Sequence, residues 1–157
     1  MFKPLAILIL LFSTTSYAKT EHCTHDSTTF RCVKYARSID GDTFAVDIPG
    51  LHPLIGRNVS IRVAGVNTPE INRAKSICEK EKGRIAKNLV DNLLKRAKRI
   101  DLRNVKRGKF FRIAADVSID GASLKSYLLK NNLAVTYDGK KKPKTDWCRP
   151  LRQVSSK

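Results

Sequence analysis

Ile61-Arg62-Val63-Ala64-Gly65-Val66-Asn67-Thr68-Pro69-Glu70 decides how the rest of this chain is read. With Val59 and Ser60 before it, the run alternates. Val59, Ile61 and Val63 form one face of a strand; Ser60, Arg62 and Ala64 form the other. Thr68-Pro69-Glu70 then closes the strand with a corner. Taken alone, that corner also reads as a helix start, with Thr as the cap, Pro in the first turn and Glu beside the positive end.

Working outward, Ile39-Asp40-Gly41-Asp42-Thr43 sets two carboxylates around a glycine, and Asp40-Gly41 is a hairpin-turn signal. Alternation predicts a strand from Cys32 to Ile39 before the turn and another carrying Phe44, Val46 and Ile48 after it. Pro49-Gly50 and Pro53 mark a loop ending near Gly56. On the other side, Ile77, Ile85, Leu89, Val90, Leu93, Leu94 and Ala97 recur at helical spacing, which predicts a helix over Ser76–Lys98. Lys95, Arg96, Lys98 and Arg99 suit the negative end of its dipole. Ile100, Leu102 and Val105 open a fourth strand, and Lys106-Arg107-Gly108-Lys109 reads as a basic turn. In a fifth strand Phe111, Ile113, Ala115, Val117 and Ile119 form one face; Phe110, Arg112, Ala114, Asp116 and Ser118 form the other. Asp120-Gly121 is a turn, Ala122–Asn131 a second main helix, and residues 140–144 a flexible basic loop. This order fits an α+β, mainly β, five-stranded barrel of the OB type with two to three helices.

The 157 residues suit one domain with a real core. Lys3, the apolar stretch Leu5–Phe12 and Ser16-Tyr17-Ala18 read as a secretory signal peptide over residues 1–18, so the protein is expected to be secreted or periplasmic. Residues 19–29 form a polar lead-in pinned by a disulfide, 30–150 the domain and 151–157 a basic tail. No later apolar run approaches membrane length, so no membrane insertion is expected after signal cleavage. The formal charge is +17, or +16 without the signal peptide's one lysine. Such an excess attracts polyanions: nucleic acid, anionic lipid or acidic glycans. Four cysteines in an exported chain favour two disulfides, with three pairings possible. The favoured one joins Cys23 to neighbouring Cys32 and uses Cys78–Cys148 to staple the C-terminal tail to a helix. A zinc site from His22, Cys23, His25 and Cys32 is the rival, but its spacing matches no common zinc pattern.

Arg62 and Arg112 each stand opposite their strand's main apolar row. In one barrel both guanidinium groups can emerge near the same surface, bordered by the Asp40–Thr43 turn and the Asn67–Glu70 corner. These are the residue types that in-line attack of water on a phosphodiester needs. Guanidinium forks grip phosphoryl oxygens as negative charge builds. A divalent cation adds Lewis-acid stabilisation, and a carboxylate, here Glu70, takes the proton. Lone strand arginines are otherwise solvated; the shared geometry is what gives these two weight.

With those motifs in view, Ile39–Thr43, Arg62–Glu70 and Arg112 followed by Asp120-Gly121 resemble the staphylococcal nuclease (thermonuclease) family from about Cys32 to Tyr137. The resemblance implies an OB-fold nuclease that hydrolyses DNA and RNA with Ca2+ and leaves 3′-phosphate ends; a monomer is expected. It implies Arg62 and Arg112 as the phosphate-binding catalytic pair, Glu70 as the general base, and Asp42, Asn67 and the Thr68 carbonyl as calcium ligands. Lys109, Phe110 and Tyr137 are the substrate-binding candidates. Two positions depart from the family. Asn67 stands where an Asp ligand is expected, which removes one negative charge and predicts weaker Ca2+ binding. Phe110 stands where a phosphate-contacting tyrosine is expected. Two other readings compete: a nucleic-acid-binding OB module with weak or no catalysis, favoured by Asn67 alone, and a cationic membrane- or glycan-binding protein, which would need an exposed amphipathic basic helix.

Overall fold

Phe44, Val46 and Ile61 are fully buried, and the two strands that carry them sit at the heart of a curled sheet. The computed structural model describes residues 22–108 and 111–149. The signal-peptide reading, the tail, and the substrate candidates Lys109 and Phe110 lie outside the described residues. In chain order the elements are β1 (Lys34–Ser38), β2 (Thr43–Asp47), α1 (Pro53–Gly56), β3 (Val59–Val63), β4 (Val66–Asn67), α2 (Ile77–Arg96), β5 (Ile100–Arg107), β6 (Ile113–Ile119), β7 (Ala122–Ser123), α3 (Leu124–Lys130) and β8 (Val135–Thr136). The main sheet runs β1-β2-β3-β6-β5, with β7 added to β6, and β4 pairs with β8 beside it. All ladders are antiparallel except β3 with β6. This half-barrel with three helices is the expected OB-like, mainly β architecture.

The core lies between the concave face of the sheet and the helices. Leu102, Ala115, Leu124, Leu128, Ala86 and Val90 meet the β2–β3 residues there, all without measurable exposure. Helix α2 starts at Ser76, whose side-chain oxygen accepts the Glu79 N–H at 3.2 Å. Leu89, Val90, Leu93, Leu94 and Ala97 pack on the core as expected, and the helical face differs only nearer the start of the helix. Ile77 is 79% and Ile85 55% exposed, while Gly83, Ala86, Val90 and Leu94 turn inward. Small residues at Gly83 and Ala86 let this part of the helix lie close on the 69–71 corner and the Asp40–Thr43 turn, so here the buried stripe is set by fit rather than by large apolar side chains.

Four further expectations are corrected. The loop before Gly56 contains α1, started by Pro53 at its first turn and by His52, whose ring accepts the Leu54 N–H at 3.2 Å. Strand β5 continues to Arg107 through what read as a basic turn. Strand β6 starts at Ile113, and Phe111 takes a left-handed φ of 57°, which breaks the alternation there. The lead-in is also held by more than a disulfide: Phe30 bridges to Leu102, and His25 Nε2 lies 2.7 Å from the Pro49 carbonyl. Both disulfides take the favoured pairing, Cys23–Cys32 and Cys78–Cys148. The second, with buried Trp147, folds the tail back onto the start of α2.

Tyr35 ties β1 to α2 by donating its hydroxyl to Asp91. Burial, and then that hydrogen bond, push the Tyr35 phenol up to about 12. A raised pKa stabilises the fold below the unfolded phenol's value of about 10. That stabilisation is lost as pH climbs through about 12. Tyr35→Phe is expected to cost about 1 kcal/mol at neutral pH. Denaturant melts of both forms from pH 7 upward should show the difference fading above about pH 10.

Candidate functional site

Arg62 leaves β3 on the face away from the core, as strand parity requires. Its Nη1 donates to Asp42 Oδ1 at 2.6 Å, and the pair is largely shielded from water. The same Asp42 oxygen accepts the Thr43 hydroxyl at 3.0 Å, and Oδ2 accepts the Thr68 N–H at 3.2 Å. One carboxylate therefore locks together the β1–β2 turn, the β3 arginine and the Thr-Pro-Glu corner.

The turn itself depends on Gly41 for space. A Cβ there would come within 2.7 Å of the Ala86 Cβ and 3.0 Å of the Thr68 hydroxyl, so α2 and the corner close directly onto the turn. Asp40, on the other side of the glycine, accepts the Asp42 N–H at 3.1 Å. Burial, and then repulsion from Asp42, raise the Asp40 carboxyl above the ordinary carboxylate range. Sequence reasoning used Asp40 only as a turn residue; the doubling of carboxylates around a glycine was the signal.

Glu70 is held from behind by Glu79, a buried carboxylate that sequence reasoning passed over. Its two oxygens accept the Glu70 N–H at 3.3 Å and the Lys75 N–H at 2.8 Å. Ser76-x-x-Glu79 is a capping box, legible in sequence, and here the glutamate reaches past its own helix to fix the corner. The Glu70 carboxylate faces outward and pairs with Lys142, from the segment that had read as a flexible basic loop. The Cys78–Cys148 disulfide and Trp147 anchor that segment just beyond the lysine.

Arg112 precedes β6 rather than standing in it. The parallel register Ile61↔Ile113 and Arg62↔Ala114 nevertheless sets it beside Ser60, on the same side as Arg62. Among the described residues no carboxylate pairs with its guanidinium. Arg62, Arg112, Glu70, Asp42, Asp40 and Tyr137 line one pocket of about 680 Å³. The Arg62 guanidinium lies 5.8 Å from the centre of the Tyr137 ring. So the arginines, the Glu70 corner, Asp42, Thr68 and Tyr137 come together. Asn67 lies just behind Thr68 and does not itself line the pocket.

Can these residues hold a divalent cation? Among the described residues no cluster of three or more His, Cys, Asp or Glu side chains could do so alone. Two carboxylates, a backbone carbonyl and an amide oxygen form an all-oxygen set, which suits a hard ion such as Ca2+. Asn67 Oδ1 is buried without a hydrogen-bond partner, an orphaned acceptor in the region where a ligand oxygen is expected. Asp40 likewise stands directly beside Asp42, whose N–H it accepts at 3.1 Å, so the turn sets two carboxylates side by side. On both counts the residues fit.

A family model described as staphylococcal nuclease homologue matches residues 60–156, more than half of the chain. No curated protein matches. The matched range begins at Ser60, so Asp40 and Asp42 lie upstream of it and join the site through the hydrogen bonds from Arg62 and Thr68.

Proposed function

This chain belongs to the staphylococcal nuclease homologue family, and from that membership we propose that it is a calcium-dependent, sugar-nonspecific nuclease, working outside the cytoplasm, that hydrolyses phosphodiesters of DNA and RNA and leaves 3′-phosphate ends. The observation that carries the reading is the convergence of Arg62, Arg112, Glu70 and Asp42 on one pocket. A net charge of +17 draws polyanions toward it.

Each residue has a distinct task. Asp42 uses one guanidinium edge of Arg62 and so fixes the direction of the rest of the fork. Arg112, free of any carboxylate among the described residues, offers its whole fork to the phosphate. Together they grip the non-bridging oxygens and offset the charge that builds on them during attack. Glu70 takes the proton from the attacking water. An arriving phosphodiester also offers Lys142 a second anionic partner, so the lysine can pass from Glu70 to the substrate as the site fills. Asp40, Asp42, Asn67 and the Thr68 carbonyl would hold the calcium ion, which when bound supplies Lewis-acid stabilisation of the phosphoryl oxygens.

Plasmid digestion in Ca2+ and in EGTA tests the proposal: cleavage is expected in the first and none in the second. The same assay run as a Ca2+ titration tests Asn67. Restoring a charged ligand in Asn67→Asp should lower the half-saturating Ca2+ concentration about tenfold. The variant also places a third carboxylate beside Asp40 and Asp42, so its Tm in EGTA should fall and recover with Ca2+. Identical titrations and identical melts would remove Asn67 from the ion site. The neutral amide is also the one feature favouring a silent binding module. Oligonucleotide binding without cleavage at saturating Ca2+ would establish that reading instead.

A further inference from the structure

Beyond Arg112 the surface opens into a second groove of about 670 Å³, and its composition is unusual for solvent-facing protein. Leu54 and Ile55, on α1, are 85% and 65% exposed, and Phe111 is 85% exposed. These side chains stand on firm supports. The Gly56 carbonyl accepts the Ile48 N–H at 2.7 Å, and Asp47 accepts the Asn58 N–H at 2.7 Å, so α1 is tied to the end of β2. Phe111 holds a left-handed backbone that an aromatic residue adopts only at a cost. Its ring lies 5.6 Å from the Arg107 guanidinium. Arg57, Lys106 and Arg107 join Arg112 along the groove, and among the described residues no carboxylate lines it.

Single exposed apolar residues need no explanation, but three around one groove flanked by cations do. The groove is continuous with the catalytic pocket, because Ser60 and Arg112 line both. A strand gripped at its scissile phosphate by Arg112 would therefore run out across Leu54, Ile55 and Phe111. This mix of cations and apolar side chains matches a strand whose bases are unpaired: one base stacks on the flat Phe111 ring, others lie against the aliphatic Leu54 and Ile55, and the phosphates meet the cations.

We propose that this groove is an extended subsite for the polynucleotide, in which Phe111, Leu54 and Ile55 take unpaired bases on the side of Arg112 away from Glu70, while Arg57 and Arg107 take the phosphates between them. The inference rests on the nuclease reading for its ligand but not for its test.

The test is binding of a fluorescent single-stranded oligonucleotide of about eight nucleotides to the full oxidised chain in EGTA, where turnover plays no part. Phe111→Ala, which loses a stacking contact, and separately Leu54→Ser with Ile55→Ser, which lose apolar burial, should each weaken binding about tenfold. A dinucleotide, which fills only the catalytic pocket, should bind all forms within about twofold. All replaced side chains are exposed, so the variants should keep the wild-type Tm, and circular dichroism checks this. Unchanged affinity for the long oligonucleotide in both variants would overturn the subsite. So would a loss confined to anionic phosphatidylglycerol vesicles, which would assign the groove to lipid. The two readings separate cleanly. Wild type that cleaves while the variants bind normally keeps the nuclease and removes the groove. Wild type that never cleaves while the variants lose binding does the reverse.

Discussion

Arg112→Ala should lower kcat/KM for nucleic acid by about three orders of magnitude while leaving Tm unchanged. The reason lies in how differently the two arginines are held. Arg112 makes no ion pair among the described residues, so its removal strips a charge from the pocket and leaves no protein group stranded. One unit-charge contact at about 4 Å and an effective dielectric near 20 is worth roughly 4 kcal/mol before desolvation, which is about a thousandfold in rate. Arg62→Ala should cost a similar factor and also destabilise the protein. It strands Asp42, whose side chain is only 4% exposed, beside the half-buried carboxylate of Asp40. Removing one partner of such a pair costs about 3–5 kcal/mol. Paired kinetics and thermal melts in EGTA read both effects. Equal destabilisation by the two substitutions would contradict the asymmetry, and full activity in Arg112→Ala would sink the phosphate clamp itself.

Strand parity was enough to place Arg62, because β3 keeps its alternation through Val63. Arg112 reached the predicted pocket by another route. Its strand does not extend back to it, and the parallel pairing of β3 with β6 sets its position instead. Parallel partnership between strands separated by a helix carries no local sequence signal, so alternation could place the residue on a face but could not say why. Periodicity did find the later part of the buried face of α2, at Leu89, Val90, Leu93, Leu94 and Ala97, but its first half was hidden for a related reason. Periodicity weights large apolar residues, whereas this helix packs through Gly83 and Ala86 against backbone. Lys142 escaped notice because a Lys-Lys-Lys-Pro-Lys run looks solvated. Only the tether at Cys148 and Trp147 brings it back over Glu70. What sequence does carry is the chemistry of the site; what it lacks is the long-range contact that aims each group.

Gly83→Ala turns that contrast into a measurement. Helix propensity alone favours alanine over glycine by about 1 kcal/mol at an interior helical position. Here the added Cβ would lie 2.9 Å from the carbonyl oxygens of both Pro69 and Glu70 and 3.0 Å from the Ile71 side chain. Backbone oxygens cannot swing aside as a side-chain tip can, so either α2 or the corner must move. Overpacking of this kind costs about 1–3 kcal/mol, enough to cancel the propensity gain and reverse its sign. The corner is the softer element, since hydrogen bonds from three N–H groups to Asp42 and Glu79 hold it whereas α2 is built into the core. The displacement therefore falls on Glu70, and a shift of about 1 Å in a catalytic group can cost about a hundredfold in rate. Gly83→Ala should lower Tm and reduce kcat about a hundredfold with little change in KM. Asn88→Ala, at an exposed position of the same helix, should be neutral or slightly stabilising. A Gly83→Ala protein that is both more stable and fully active would mean that the helix does not press on the corner at Gly83, and that the hydrogen bonds to Glu79 and Asp42 position Glu70 without it.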